Sequence, residues 1–242
     1  MRNLVNWLSI RTSTFFEVLV APESAFERDI GGHSYLLPLC VLGLSFALIS
    51  WLQAPLAIQW AWLQMQAANA SPDQVSASLA VMWRVQRWSL AAVPLLLFIK
   101  WLLCAAMLWL VAQLCLVSLA FARGLGIVAY SYLPVFLRDA TIVFILWMRG
   151  KEALDHPEAL NVAVGLNLLF PQLRLPWSTL AGNCNVFELW YLTLMILGIS
   201  AAASVRTRVA LAIVLPGWLA TLFIQFCLVS LGLSMRSGLG RG

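Results

Sequence analysis

The feature that most constrains this chain is a set of long apolar stretches in which charges are rare. Lys100 and Arg123 bracket 22 uncharged residues, and comparable stretches begin near Tyr35, Leu125, Val186 and Val209. In lipid a peptide group has no water to bond, so such runs must close their own hydrogen bonds as helices or barrels. Barrel strands alternate apolar and polar side chains over about ten residues. These runs do not alternate, and they read as helices. Composition agrees: 62% of residues are hydrophobic and only 10% charged, against about 25% charged in a soluble domain. The sequence therefore describes an all-α polytopic integral membrane protein with five transmembrane helices.

The predicted spans are 35–54, 100–122, 125–147, 186–205 and 209–231, inside a membrane domain covering 34–232. The second follows from arithmetic. Twenty-two residues at 1.5 Å each make about 33 Å, close to the hydrocarbon thickness of about 30 Å. Lys100 would snorkel to one headgroup layer and Arg123 to the other. Pro55 ends the first span, and Leu56–Leu63 continue as an interfacial tail. Ser71-Pro72-Asp73 reads as a helix start, with Pro72 at the first helical position, leading into a short amphipathic helix through Trp83, Arg84, Arg87 and Trp88. In the loop 150–185, Leu160–Phe170 reads as a surface helix. Pro216-Gly217 marks a kink in the fifth span.

Residues 1–33 mix apolar side chains with Arg11, Glu17, Glu23, Glu27 and Arg28. They read as an interfacial segment that turns at Pro22. Its start is too short and too polar for a signal-peptide core. The tail 233–242 is rich in Gly, Ser and Arg and reads as flexible.

The net charge of +5 is spread singly at span ends, as topology markers rather than a nucleic-acid footprint. The twelve tryptophans gather near span ends as an aromatic belt, Trp51, Trp60, Trp83, Trp88, Trp101, Trp147, Trp177 and Trp190 among them. The five cysteines form no CxxC pair and no zinc spacing. His33 and His156 stand alone, and Asp155, Glu158 and the Glu23/Glu27/Asp29 group read as solvated faces. Neither a metal nor a cofactor is expected. No nucleophile–base pair, phosphate loop or zinc-protease motif occurs, so the chain reads as non-enzymatic.

Charges inside a span are costly, roughly 2.5 kcal/mol or more each. Arg138 and Asp139 lie within the third span. As neighbours at i,i+1 they point about 100° apart, so each calls for another partner. With the N-terminus inside, Lys100, Arg138, Asp139 and Glu188 fall in the same outer half of the membrane and could close a polar network. Such a network would serve packing, a polar cavity or a docking site for a partner helix. Tyr130 and Pro134, at i,i+4, share a face for packing or for a partner; a bent helix with Tyr130 bonding a freed carbonyl is the simplest reading. Charge counting leaves orientation open. Arg2, Arg11, Arg28, Arg123, Arg206 and Arg208 stand on one side, and Arg84, Arg87, Arg149, Lys151, Arg174, Arg236 and Arg241 on the other.

Three segments resemble the bacterial form of the Yip1 family of five-span membrane proteins. They are Phe15-Phe16-Glu17-Val18-Leu19-Val20-Ala21-Pro22 with Phe26, then Val128-Ala129-Tyr130-Ser131-Tyr132-Leu133-Pro134, and Asn185-Val186-Phe187-Glu188-Leu189-Trp190-Tyr191-Leu192 running to Gly198. With the span spacing, the resemblance covers residues 12–230. The Asp-Leu-Tyr-Gly-Pro sequence of eukaryotic members is absent. The resemblance implies a cytoplasmic N-terminus in the bacterial inner membrane and a non-catalytic role with membrane lipids and a membrane-protein partner or second copy. The rival reading is a small transporter or oligomeric channel using the intramembrane charges and Gln225. Five spans cannot make two equal inverted halves, which disfavours the usual carrier plan for a monomer.

Overall fold

The computed structural model describes residues 14–27, 35–67, 69, 71–149, 162–170, 172–173 and 176–239. Among these residues it is helical, without strands: α1 (residues 14–20), α2 (Pro22–Glu27), α3 (Leu36–Ala67), α4 (Pro72–Leu114), α5 (Phe121–Ser131), α6 (Leu133–Arg149), α7 (Trp177–Asn183), α8 (Val186–Ala203) and α9 (Thr207–Leu239). Five segments are long and apolar enough to cross a bilayer: Leu36–Leu63, Pro72–Leu114, Phe121–Arg149, Val186–Ala203 and Thr207–Leu231. The protein is a multi-pass, all-α membrane protein.

Several boundaries differ from the sequence expectation, each for a local reason. α3 does not stop at Pro55 but runs on to Ala67; within a membrane bundle a proline is tolerated inside a helix. α4 begins at Pro72 as expected. Ser71 Oγ accepts from Gln74 N (3.3 Å) while Gln74 Oε1 accepts from Ser71 N (3.2 Å), a reciprocal capping box. The helix then runs unbroken for 43 residues to Leu114, absorbing the amphipathic stretch and carrying Lys100 in its interior. The 100–122 span between two snorkelling cations is thus corrected. α4 ends in a Schellman turn, with Val117 N bonded to Ala112 O and Leu116 N to Gln113 O. Leu116 takes the left-handed position at φ 57.

The third span is two helices rather than one, broken at Tyr132. Pro134 has no N–H for the Tyr130 carbonyl, and its ring collides with a carbonyl at i−4; at the start of α6 neither matters. In the long loop, the described part of Leu160–Phe170 holds a single 3₁₀ turn, Leu166–Leu168, not a surface helix. Gly165 explains the turn's seat. A Cβ there would lie 2.7–2.9 Å from the carbonyl oxygens of Gly182, Ala181 and Cys184, so only glycine allows this approach to α7. α9 is helical to Leu239, through Pro216 and past the start of the expected flexible tail. His33, Asp29 and His156 lie outside the described residues.

The chain divides into two compact units. The first comprises the N-terminal segment through Tyr35, then Trp101–Val135 and Ala163–Gly242. α8 packs against α2, α5 and α9. At Gly198 the helices pack tightly, with the residue facing Ile127 of α5 and Phe26 of α2. Val18, Ala25 and Phe26 are fully buried. The expected interfacial segment is therefore, over residues 14–27, a helix–turn–helix docked on the bundle, since its apolar face has a protein groove to fill. Phe15 stacks near Tyr130 (6.2 Å), and Tyr132 joins Trp101 and Tyr191 edge-on, each at 5.8 Å. Trp101 is 0% exposed, a core residue and not a belt residue. The three segments that carry the family resemblance thus meet in one core.

The second unit, Leu36–Lys100 with Phe136–Val162, is a helical hairpin with α6. On α4, Val75, Leu79, Met82, Gln86, Ser89 and Val93 are half-buried while the intervening residues from Pro72 to Trp88 are exposed. The 4-3-4-3-4 spacing is a coiled-coil seam. On α3, Ser50 accepts from Gln86 and Gly43 lies against Pro94. A Cβ on Gly43 would be 3.2 Å from Pro94 Cβ.

Candidate intramembrane polar site

In the second unit α6 presents Arg138 and Asp139. Their side chains turn to each other, with Arg138 Nε donating to Asp139 Oδ1 at 2.7 Å and the two side chains 21% and 29% exposed. Although i,i+1 neighbours point about 100° apart, the two side chains meet. The Arg side chain is long and flexible enough to swing across the angular gap that separates the two Cβ directions. Two costly charges become one short, charge-assisted hydrogen bond.

Asp139 also lines a cleft of ≈ 240 Å³ with Phe46, Ile49, Ser50, Gln53, Val93 and Ile142. Its wall is apolar except for Asp139, Ser50 and Gln53. Phe46 closes one end on Phe136, ring centroids 5.7 Å apart. Beside it, Gln86 Nε2 donates to Ser50 O at 3.0 Å and to Ser50 Oγ at 3.3 Å. The bond fixes register, because a shifted pairing would leave the Gln86 amide without this partner. A space of this volume is large enough for several waters, and Asp139, Ser50 and Gln53 supply its polar groups.

The other sequence candidates lie elsewhere. Lys100 is exposed on α4 at the edge of this unit. Glu188 belongs to the other unit, where its Oε1 accepts from Trp218 Nε1 of α9 at 3.2 Å. That bond ties the first turn of α8 to α9. Tyr130 is 1% exposed and Pro134 is buried, so this pair faces the protein core rather than an open surface. Gln225 accepts from Asn183 Nδ2 at 2.8 Å, pinning α7 to α9, and Trp177 packs on Phe226 beside it.

Sequence reasoning missed Ser50, Gln53 and Gln86 as site residues. The signal was present: the α4 seam residues repeat every three or four positions, and one of them is Gln86. It was hidden because the stretch was divided between a loop helix and a span. Arg123 was read as a snorkelling end marker. Its Nη1 instead donates to Ala202 O at 2.9 Å, closing the C-terminal end of α8. Among the described residues no group of three His, Cys, Asp or Glu side chains gathers as a metal site.

Compared with known proteins, the chain matches no family model, no curated protein and no solved structure.

Proposed function

We propose that this protein is a non-catalytic scaffold of the bacterial inner membrane, related to the Yip1 family, that holds another membrane protein or a second copy of itself through the α3–α4 hairpin. One observation carries this reading. α3 and α4 have 32 and 43 residues, about 48 and 64 Å at 1.5 Å each. A hydrocarbon layer of about 30 Å covers half of α4 at most. The hairpin is stiffened by the Gln86–Ser50 bonds and the Gly43–Pro94 contact. Its distal part presents exposed Trp51, Trp62, Val81, Trp83, Val85 and Trp88. Large aromatic groups on a rigid helix face are the side chains that anchor protein interfaces.

The resemblance to the Yip1 family implies a cytoplasmic N-terminus. Counting five crossings, the α4–α5 connection with Arg123 and the α8–α9 turn with Arg206 and Arg208 share the side of the segment before α3.

A photo-crosslinking amino acid at Val85 tests the scaffold reading in intact membranes. The expected result is one discrete protein adduct that disappears when Val81 and Trp88 are changed to Glu. Lipid adducts alone would overturn it. The transporter reading keeps one supporting observation, the Asp139 cleft with Ser50 and Gln53. Proteoliposome flux of protons or small ions that is abolished by Asp139→Asn would favour it instead.

A further inference from the structure

Beyond the docking arm, we propose that the end of the first unit formed by the start of α5 and the α8–α9 turn is a binding site for the phosphate of an anionic phospholipid. Arg123, 79 residues away in sequence, is brought onto this turn by its 2.9 Å bond to Ala202 O. The turn itself is short. Ser204 is left-handed at φ 51, Val205 N bonds Ser200 O, and Ser200 Oγ donates to Val205 O at 2.7 Å. Arg206 and Arg208 follow at once and are exposed. Three guanidinium groups therefore gather at one end of three helices.

Among the described residues no carboxylate neutralises them. From Gln74 to Arg138 and from Leu189 to Gly242 the sequence contains no carboxylate side chain. Among the described residues none of the three arginines makes an ion pair. Glu23 and Glu27 of α2 line a cleft beside Leu197 and likewise form no ion pair among the described residues. Arg123 adds a second sign of a missing acceptor. Its Nε is buried without a hydrogen-bond partner, although burying such a donor unmet is costly.

Depth selects the occupant. α8 has 18 residues, about 27 Å, which nearly matches the hydrocarbon thickness. Its last turn and the arginines beyond it then fall in the headgroup layer. The anion held there in quantity is the lipid phosphate, and guanidinium matches phosphate oxygens by forked hydrogen bonds.

The test uses the whole protein in nanodiscs of phosphatidylcholine with a minority of phosphatidylglycerol. Lipid retained on re-extraction and purification is counted by mass spectrometry. Wild type is expected to retain phosphatidylglycerol over phosphatidylcholine. Each arginine near an anionic surface is worth about fivefold in affinity, so R206Q/R208Q is expected to lose about thirtyfold. R84Q/R87Q, which removes the same charge from α4, keeps the lipid. Thermal unfolding of R206Q/R208Q at the wild-type temperature separates lost binding from lost fold. Retention unchanged in R206Q/R208Q, or equal loss in R84Q/R87Q, would overturn the proposal. Displacement of the lipid by inorganic phosphate would also overturn it, by assigning the arginines to a soluble anion.

Discussion

Replacing Gly198 by alanine sets two well-known effects against each other. A Cβ there would stand 2.7 Å from Ile127 Cγ2, 3.4 Å from Ile127 Cγ1 and 3.4 Å from Phe26 Cδ1. Carbon atoms in contact prefer 3.5–4.0 Å, so about 1 Å of overlap must be relieved. Ile127 and Phe26 are both 0% exposed, and a β-branched side chain in a helix has one strongly preferred χ1. The overlap is relieved by moving a helix. Overpacking of this kind costs about 1–3 kcal/mol, while alanine regains about 1 kcal/mol of helix propensity. The balance is a net loss of about 1 kcal/mol, with undocking of α1 and α2 as its structural form. Equilibrium unfolding in bicelles measures the first and protease cleavage within residues 14–27 measures the second. In the double variant Ile127→Ala with Gly198→Ala the offending methyl is gone, and the two changes should couple favourably by about 1 kcal/mol. A stabilised Gly198→Ala protein, or strictly additive effects, would refute this packing.

Further outcomes are expected at other sites. Gln86→Leu removes both bonds to Ser50 and should cost about 0.6–2 kcal/mol, with engineered disulfides between α3 and α4 then forming in more than one register. Leu116→Gly should instead stabilise the protein by about 1 kcal/mol, because glycine adopts the left-handed Schellman position without a Cβ penalty; the same unfolding assay reads the opposite sign. Asp139→Leu and Arg138→Met alone should each destabilise more than the two together, since each single change strands a charge that the pair had neutralised. A thermal-shift series of the four proteins checks the order.

Run length was a sufficient guide to the number of crossings, because the bilayer forces every apolar stretch of about 20 residues to satisfy its own backbone. It was a poor guide to where helices stop. Leu116 closes α4 in a conformation usually left to glycine, and no residue type at 115–117 announces it. Pro55 reads as a terminator in the sequence, yet a proline inside a bundle need not end a helix. The Lys100–Arg123 spacing fitted the hydrocarbon thickness numerically and still misled, because a lysine on an exposed helix face and an arginine closing α8 serve different ends. At the polar site Arg138 and Asp139 were legible as residues of interest from their cost in lipid. Their mutual bond was not, since a rule about Cβ directions ignores the reach of an arginine. Ser50, Gln53 and Gln86 emerge only when α3 and α4 are aligned in register, which is information about pairing and not about either helix alone. The docking of Phe15 and Phe26 was similarly out of reach: an amphipathic segment looks the same whether lipid or protein covers it.

Sidedness decides whether the chain crosses the bilayer as described. In a variant lacking the native cysteines, single cysteines at Ser71, Leu116 and Ser204 would be labelled from outside sealed vesicles with a membrane-impermeant thiol reagent. One crossing, α4, separates Ser71 from Leu116, and two, α5–α6 and α8, separate Leu116 from Ser204. Leu116→Cys and Ser204→Cys should therefore label together from one face and Ser71→Cys from the opposite face. Labelling of Ser71→Cys and Ser204→Cys from the same face would contradict the five-helix arrangement.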